Sequence, residues 1–464
     1  MVLATTAEGV RAIDTLQIGV TVSGDREPRL ASHEPGRILG GALENLGANV
    51  SYLERRADAW SSPTALDVVV AVDPDFPLWR AGTDVVSVAI VAGRTGRWLA
   101  QPWFNDFDLV LTTTARSAEI VSHRSAQVAR VLEPEPPQGS SSWAAQLLDG
   151  LASWRAADEV AISTAVESRY RSAWWGDYHY ARDLQRWIRR AGHPSTVLLA
   201  NEGMTKRRRR AALTIHLVGL THAELSDHVN FLWVISHPEI VDKELCSRFD
   251  RVYVASTIFA EALSQKVSVP VVPLSQATDP ERFRPSAGGP HHDVLFVGSS
   301  RGVRRSIVDD METTGIPFDV YGEDWTPDLL NPDRLRGELV PNLELPRYYA
   351  NATVVLNDHW PAMREHGFMS NRLYDALGTG ALVITDPVPG MDSEFDDGVV
   401  EYRDAADLKE KVRFYLEDEG ARTQVTKRGR TAVLHRHTFE HRVECLLHDY
   451  RALVGCGDAL PGGG

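Results

Sequence analysis

REHGFMSNRLYDALGTGALVITDPVPGMDSEF, residues Arg364 to Phe395, runs from a polar loop through a helical pattern into a β-rich apolar stretch. Gly367, Ser370 and Asn371 lie in the loop, Arg372 and Asp375 in the first turns of the helix, and Gly378 and Gly380 lead into a strand at Ala381 to Thr385. Such a junction aims free backbone N–H groups at an anion, and an arginine there adds a fork of donors suited to a diphosphate. Asp375, one turn on, offers a carboxylate that can accept from a ribose diol. The same residues also read as a capped helix, with Asn371 as the N-cap and the two glycines as close-packing positions.

A second stretch, VLFVGSSRGVRRSIVDD from Val294 to Asp310, favours the ligand reading. Gly298, Ser299 and Ser300 follow a buried strand and precede a helix with Arg301, Arg304 and Arg305 at its start. Small residues let a ligand approach the backbone, and the arginines add positive charge beside a helix N-terminus. The two loops would converge at the C-terminal edge of one parallel sheet, where α/β proteins bind their ligands.

Working outward, apolar runs alternate with helical patterns along nearly the whole chain, the rhythm of parallel sheets covered on both faces. Strands are expected at Leu16 to Thr21, Leu66 to Val72, Val85 to Val91 and Phe107 to Leu111, with a helix at Arg37 to Leu46. The grammar repeats at Val160 to Val166, Leu213 to Val218, Phe231 to Ile235 and Arg251 to Ala255, with a helix at Tyr180 to Ala191. FDLVLTTTARSAEIV from Phe107 lies over FDRVYVASTIFAEAL from Phe249, consistent either with a duplication or with a pattern that any two doubly wound domains share. Breaks at LEPEPPQGSSSW (Leu132 to Trp143) and DPERFRPSAGGPHHD (Asp279 to Asp293) separate the units. The expected organisation is a Rossmann-like accessory domain at 1–140, two further Rossmann-like domains at 158–285 and 286–436, and a C-terminal helix at 437–456 packing back on the middle domain.

Composition narrows the partners. The 464 residues are 43% hydrophobic and 24% charged with net charge -14, which excludes disordered and fibrous classes and makes a broad nucleic-acid footprint unexpected. The three cysteines, Cys246, Cys445 and Cys456, lack metal-ligand spacing and fit a reducing cytoplasm. No apolar run is long enough to span a bilayer.

At this point the chain resembles a known family. DVLFVGS (Asp293 to Ser299), DVYGEDW (Asp319 to Trp325), LPRYYANATVVLN (Leu345 to Asn357), SNRLYDALGTGALVITD (Ser370 to Asp386) and the stretch Val412 to Arg442, in order and spacing, resemble the nucleotide-sugar glycosyltransferases of the two-Rossmann GT-B fold. The resemblance is closest to the CgeB-like (spore maturation) branch of the group-1 enzymes. It extends to WGDYHYARDLQRWIRRAGH (Trp175 to His193) and PLSQATDPERFRP (Pro273 to Pro285). It implies an α/β GT-B core with an added N-terminal Rossmann-like domain, an acceptor-side domain at 158–285 and a donor-binding domain at 286–436, and a nucleoside-diphosphate sugar as donor substrate without a tightly bound cofactor or a metal. Arg301 and Arg305 with Ser370, Asn371 and Arg372 would hold the diphosphate, and Tyr321 with Gly322 would lie near the base. Asp375 stands where the family has a glutamate for the ribose hydroxyls and is one methylene shorter. Gly367 occupies the place of the first glutamate of the family's paired motif, with Glu365 two residues earlier. The donor motif resembles those of retaining members.

On the acceptor side the resemblance places Asp177 and His179 in the loop after the first strand and His237 at the end of NFLWVIS. Any of the three could deprotonate an acceptor hydroxyl, and each also reads as an ordinary capping or satisfied polar residue. The Trp-rich SAWWGDYHY (Ser172 to Tyr180) suits a sugar ring or an interdomain contact. KRRRR (Lys206 to Arg210) offers a peripheral membrane contact or a solvated loop. HTFEH (His437 to His441) spaces two histidines by four on an expected helix surface, and Arg430 to Val454 reads as helical throughout. The N-terminal domain is expected to dock or to form a homodimer. The rival readings are a sugar-nucleotide epimerase or hydrolase of the same fold, and a catalytically silent nucleotide-sugar-binding protein.

Overall fold

The computed structural model describes residues 2–6, 9–12, 15–22, 35–56, 59–61, 65–81, 85–132, 141–167, 175–200, 211–218 and 225–457. The basic run Lys206 to Arg210 lies outside them.

A hairpin of β1 (Val2–Thr6) and β2 (Gly9–Ala12) precedes the first large sheet. That sheet contains β3 (Gln17–Val22), β4 (Asn49–Arg56), β5 (Ala59–Trp60), β6 (Val68–Ala71), β7 (Val86–Val91), β8 (Leu109–Thr112) and β9 (Ala129–Val131) in the order β5-β4-β3-β6-β7-β8-β9. All its pairs are parallel except the β4–β5 edge. Helix α1 (Pro35–Asn45) follows β3, and α2 (Ser141–Ala156) closes the domain against α1.

The middle sheet contains β10 (Val160–Ser163), β11 (Ser195–Leu198), β12 (Leu213–Leu217), β13 (Val229–Val234), β14 (Arg251–Val254) and β15 (Val271–Pro273), with α3 (Gly176–Arg190) after β10 and α4 (Thr257–Ser264) after β14. Its order, β11-β10-β12-β13-β14-β15, repeats that of the first sheet's parallel part. β12, LTIHL, alternates apolar and polar residues yet is buried along its whole length, with Thr214 and His216 also inside.

The third sheet contains β16 (His292–Val297), β17 (Asp319–Tyr321), β18 (Leu335–Gly337), β19 (Ala352–Asn357), β20 (Leu382–Thr385) and β21 (Val400–Glu401) in the order β18-β17-β16-β19-β20-β21. The strand order reverses between β16 and β19, the crevice where doubly wound sheets hold ligands. Helix α5 (Ser306–Thr314) follows β16, α6 (Asn371–Thr379) precedes β20, and α7 (Glu419–Arg436) and α8 (Phe439–Gly457) end the described chain. No described helix is long and apolar enough to cross a membrane.

The chain crosses between the second and third sheets at residues 276–279 and returns at 437–438, and the two crossings bond to each other. Thr278 N–H donates to His437 O (3.0 Å) and Phe439 N–H to Thr278 O (3.1 Å). This crossing interrupts the helix expected over Arg430 to Val454: α7 stops at His437 and α8 starts at Phe439. His437 and His441 therefore do not share one helical face. His437 is buried, and His441 Nδ1 lies 2.7 Å from Thr438 Oγ1. After the return, α8 packs on α3, as α2 packs on α1 in the first domain.

The first domain docks on α3. Arg182 Nη2 donates to Asp106 Oδ1 (2.7 Å) and to Tyr178 Oη (2.7 Å), while Arg189 Nη2 donates to Phe107 O (3.2 Å). One turn along the same stripe of α3, Arg186 is paired with Asp279 and Glu281 at 2.7 Å each.

Candidate active site

Gly298 directly follows β16 and bonds the end of β17. Its N–H donates to Tyr321 O (2.8 Å), and a Cβ on Gly322, whose φ is 154°, would lie 2.2 Å from Gly298 O. Ser299 Oγ accepts from Glu323 N–H (3.1 Å), and buried Ser300 bonds the Asp324 carbonyl, so the two serines tie this loop to the turn after β17. Tyr321 turns its ring to Tyr348 (5.2 Å between centroids) and His292 (5.7 Å).

Arg305, expected on the diphosphate, is occupied. Its Nε donates to Asp358 Oδ2 (2.9 Å), Nη2 bonds Asp358 Oδ1, and Nη1 donates to Ser299 O (2.9 Å). A buried arginine satisfied by a carboxylate fork and a carbonyl anchors the loop, and the adjoining Asp358 explains why it does not face an incoming anion.

Arg372 differs. Among the described residues no carboxylate lies within ion-pair distance of it. Its Nη1 donates to Asn357 Oδ1 (2.6 Å), its guanidinium stands 4.9 Å from the centre of the Phe296 ring, and a Cβ on Gly298 would come within 2.7 Å of its Nη2. Burial pulls its pKa down, which marks a cation held out of water by neutral partners. Ser370 is the N-cap of α6, accepting from Arg372 N–H (3.3 Å), and Asn371 is the first helical residue. The helix N-terminus, Arg372 and the Gly298 loop thus meet at the β16–β19 crevice.

Asp375, expected at the ribose, has both carboxylate oxygens bonded within the protein. Its Oδ1 accepts from Thr278 Oγ1 (2.6 Å), in the crossing, and its Oδ2 accepts from Asn371 Nδ2 (2.9 Å). Burial pushes this carboxyl well above the usual range. The short side chain holds the carboxylate back at the joint between the domains. Gly367, at φ 73°, also serves the joint: Ser256 Oγ donates to the neighbouring His366 O (2.6 Å), and a Cβ on Gly367 would reach 3.0 Å from that hydroxyl. Phe368 beside it packs against Phe259 of α4.

Across the crevice, Asp177 lies in the first turn of α3, not in a preceding loop, because the helix begins at Gly176. A carboxylate in a first helical turn meets the positive end of the helix dipole. Burial nevertheless raises its pKa, opposed first by His237 and then by Arg301. Charges from two domains thus act on Asp177. His237 sits three residues beyond β13 at φ 54°, with Nδ1 2.9 Å from Glu239 Oε1. Arg301, also left-handed at φ 55°, lies 5.5 Å from the Trp360 ring centre. His179 turns its ring instead to Tyr178 (5.8 Å).

Sequence reasoning missed a buried polar chain behind Arg372. Asn357 Nδ2 donates to Thr385 Oγ1 (2.9 Å), Thr385 Oγ1 to Asp386 Oδ1 (3.0 Å), and His359 Nδ1 lies 2.7 Å from Asp386 Oδ1. The available signal was polar residues, NDH and TD, directly following buried strands. No group of described residues is arranged as a metal site.

Residues 303–448 match the family model described as glycosyl transferase-like. No curated protein matches the chain. Among solved structures, sucrose-phosphate synthase from Thermosynechococcus elongatus is 13% identical with a TM-score of 0.47, covering 64% of this chain and 100% of its own. AviGT4, a glycosyltransferase involved in avilamycin A biosynthesis, is 16% identical at 0.46, covering 64% and 98%. Anabaena HepE, solved with UDP and glucose, is 10% identical at 0.46, covering 63% and 100%. Residue roles at such identities come from the site itself. The C-terminal domain is similar to glycosyl transferase-like proteins, and the double crossing between two facing parallel sheets gives the chain a GT-B architecture with a further N-terminal Rossmann-like domain.

Proposed function

We propose that the protein transfers a sugar from a nucleoside-diphosphate sugar to a hydroxyl-bearing acceptor, as a group-1, CgeB-like glycosyltransferase of the cytoplasm. The observation that carries this reading is Arg372: a desolvated cation without a carboxylate partner, beside a glycine loop and a helix N-terminus, is a charge arrangement that a diphosphate completes. Arg301, on the exposed side of the same loop, adds positive charge at the mouth.

Glycosyl transfer passes through an oxocarbenium-like state, so the leaving diphosphate must be stabilised and the acceptor hydroxyl must lose a proton. Arg372, Arg301 and the α6 N-terminus are assigned the first task, with no metal required. Asp177 is assigned the second: its raised pKa suits proton transfer, and His237 stands beside it. His179 is assigned to acceptor positioning. Asp375 would take the ribose diol with the oxygen now held by Asn371, and Tyr321 with Gly322 would flank the base. Retention of configuration is assigned from the donor motif.

Calorimetry with nucleoside diphosphates and their sugars, with and without a chelator, tests this. The expected result is base-selective binding that survives chelation and falls at least tenfold in Arg372→Ala, about the worth of a hydrogen-bonded charge. Proton NMR of the product anomer reads the stereochemistry. Release of free sugar or an epimer without acceptor favours the hydrolase or epimerase reading, and absence of binding to any nucleotide overturns the proposal.

A further inference from the structure

Behind Arg372 every hydrogen bond points the same way. Arg372 donates to Asn357 Oδ1, Asn357 Nδ2 donates to Thr385 Oγ1, and Thr385 Oγ1 donates to Asp386 Oδ1. With Nδ1–H donating to Asp386, His359 presents the lone pair of Nε2 to Asn357 Nδ2 at 3.5 Å, and its backbone N–H donates to Asp386 Oδ2 (3.2 Å). The chain ends on a carboxylate that is 4% exposed, and Asn357 and Thr385 are 0% exposed.

An asparagine amide can face either way, and only its partners decide which. Here Thr385 Oγ1 and His359 Nε2 both call for its NH2, so its oxygen must face Arg372. Reversed, the amide would aim N–H donors at a guanidinium that has no acceptor lone pair. We infer that Asp386, His359 and Asn357 are positioning residues that set the Arg372 guanidinium beneath the Gly298 loop for a diphosphate. The use of a neutral amide as the last member matters. It orients the cation without cancelling its charge, whereas the neighbouring Arg305 is cancelled by Asp358.

This inference rests on the proposed donor site, and Asn357→Asp separates it from a merely structural role. The substitution puts a carboxylate on Arg372 at the same length, so the charge offered to a diphosphate disappears, while Thr385 Oγ1 and His359 Nε2 lose the NH2 they accept from and thermal stability should fall. Calorimetry would use the cognate nucleoside diphosphate, its nucleoside and inorganic pyrophosphate, on wild type, Asn357→Asp, Asp386→Ala and His359→Ala. The expected result is a loss of about tenfold or more for diphosphate and pyrophosphate in all three variants, with nucleoside affinity within twofold of wild type. Equal losses for the nucleoside, or unchanged diphosphate affinity in a folded Asn357→Asp variant, would overturn it. Pyrophosphate binding that depends on Asn357 and Arg372, in a protein that takes no nucleotide sugar, would leave the positioning role standing and remove the sugar-transfer reading alone. Failure of wild type to bind either diphosphate removes both.

Discussion

At the scale of single residues, the molecule distinguishes arginines by what faces them. Arg305 and Arg372 lie in the same crevice, yet a carboxylate fork neutralises one and a neutral amide steers the other. Sequence spacing made them equivalent, because nothing in a string of residues shows that Asp358 will meet Arg305. His437 gives a test that depends on no substrate. Burial, with Arg442 beside it, holds its pKa down to about 4, since Nδ1 accepts from Arg442 Nη2 (2.8 Å) and protonation would set donor against donor. The unfolded histidine titrates near about 6.5, so the stability it contributes is present above that pH and is lost as pH falls toward about 4. Denaturant unfolding from pH 7 to pH 4 should show wild type losing more stability than His437→Gln; parallel profiles would remove His437 as the cause. Thr278→Val, which leaves buried Asp375 one partner short, should cost about 1 to 3 kcal/mol. A loss below about 0.5 kcal/mol would show that the bond carries little.

At the scale of elements, buried parallel strands were legible because their apolar runs leave few alternatives. β6, β7 and β20 lie inside the stretches the sequence marks, shifted only at their ends. Edge strands were not. β11, STVL, carries polar residues that an edge position tolerates, as does β4, NVSYLERR, which only the two-residue β5 separates from the edge, and β18 and β21 are too short to leave a pattern. Helix ends misled where tertiary contacts set them: α3 starts four residues before its apolar stripe, and the α7–α8 break is made by pairing with Thr278, a residue far away in sequence. The Gly298 and Gly367 loops were readable because glycines and arginines after apolar runs leave a local mark, whereas the Asp386–His359 chain joins two strand ends that only the sheet brings together. Gly322 shows how tightly that edge is built. With a φ of 154° and a Cβ that would meet Gly298 O at 2.2 Å, Gly322→Ala must separate β16 from β17. The expected result is a loss of about 2 kcal/mol or more, as for other strained backbone substitutions, together with weaker nucleoside binding. A variant that keeps wild-type Tm and affinity would mean that the strands part without consequence.

At the scale of the whole molecule, the first two domains share a strand order and each is completed by a helix laid on its first helix, α2 on α1 and α8 on α3. The first obtains that helix from the segment that follows its own sheet, and the second obtains it from beyond the third sheet. The same α3 that receives α8 also carries Asp177 at its start and receives the first domain along its length. The N-terminal domain is therefore coupled to the middle domain through one helix: Asp106 holds Arg182, and Arg182 holds Tyr178, next to Asp177. The Arg182 and Asp106 side chains are 9% and 14% exposed, so removing the carboxylate strands a nearly buried cation. Asp106→Ala should cost about 3 kcal/mol, by analogy with other broken buried pairs, and should detach the first domain as a separate early transition in denaturant. Asp106→Leu combined with Arg182→Met, which removes both charges and keeps apolar contact, should recover most of the loss and restore a single transition. A first domain that unfolds independently in wild type, or an Asp106→Ala protein indistinguishable from it, would show that the contact joins neighbours without coupling them.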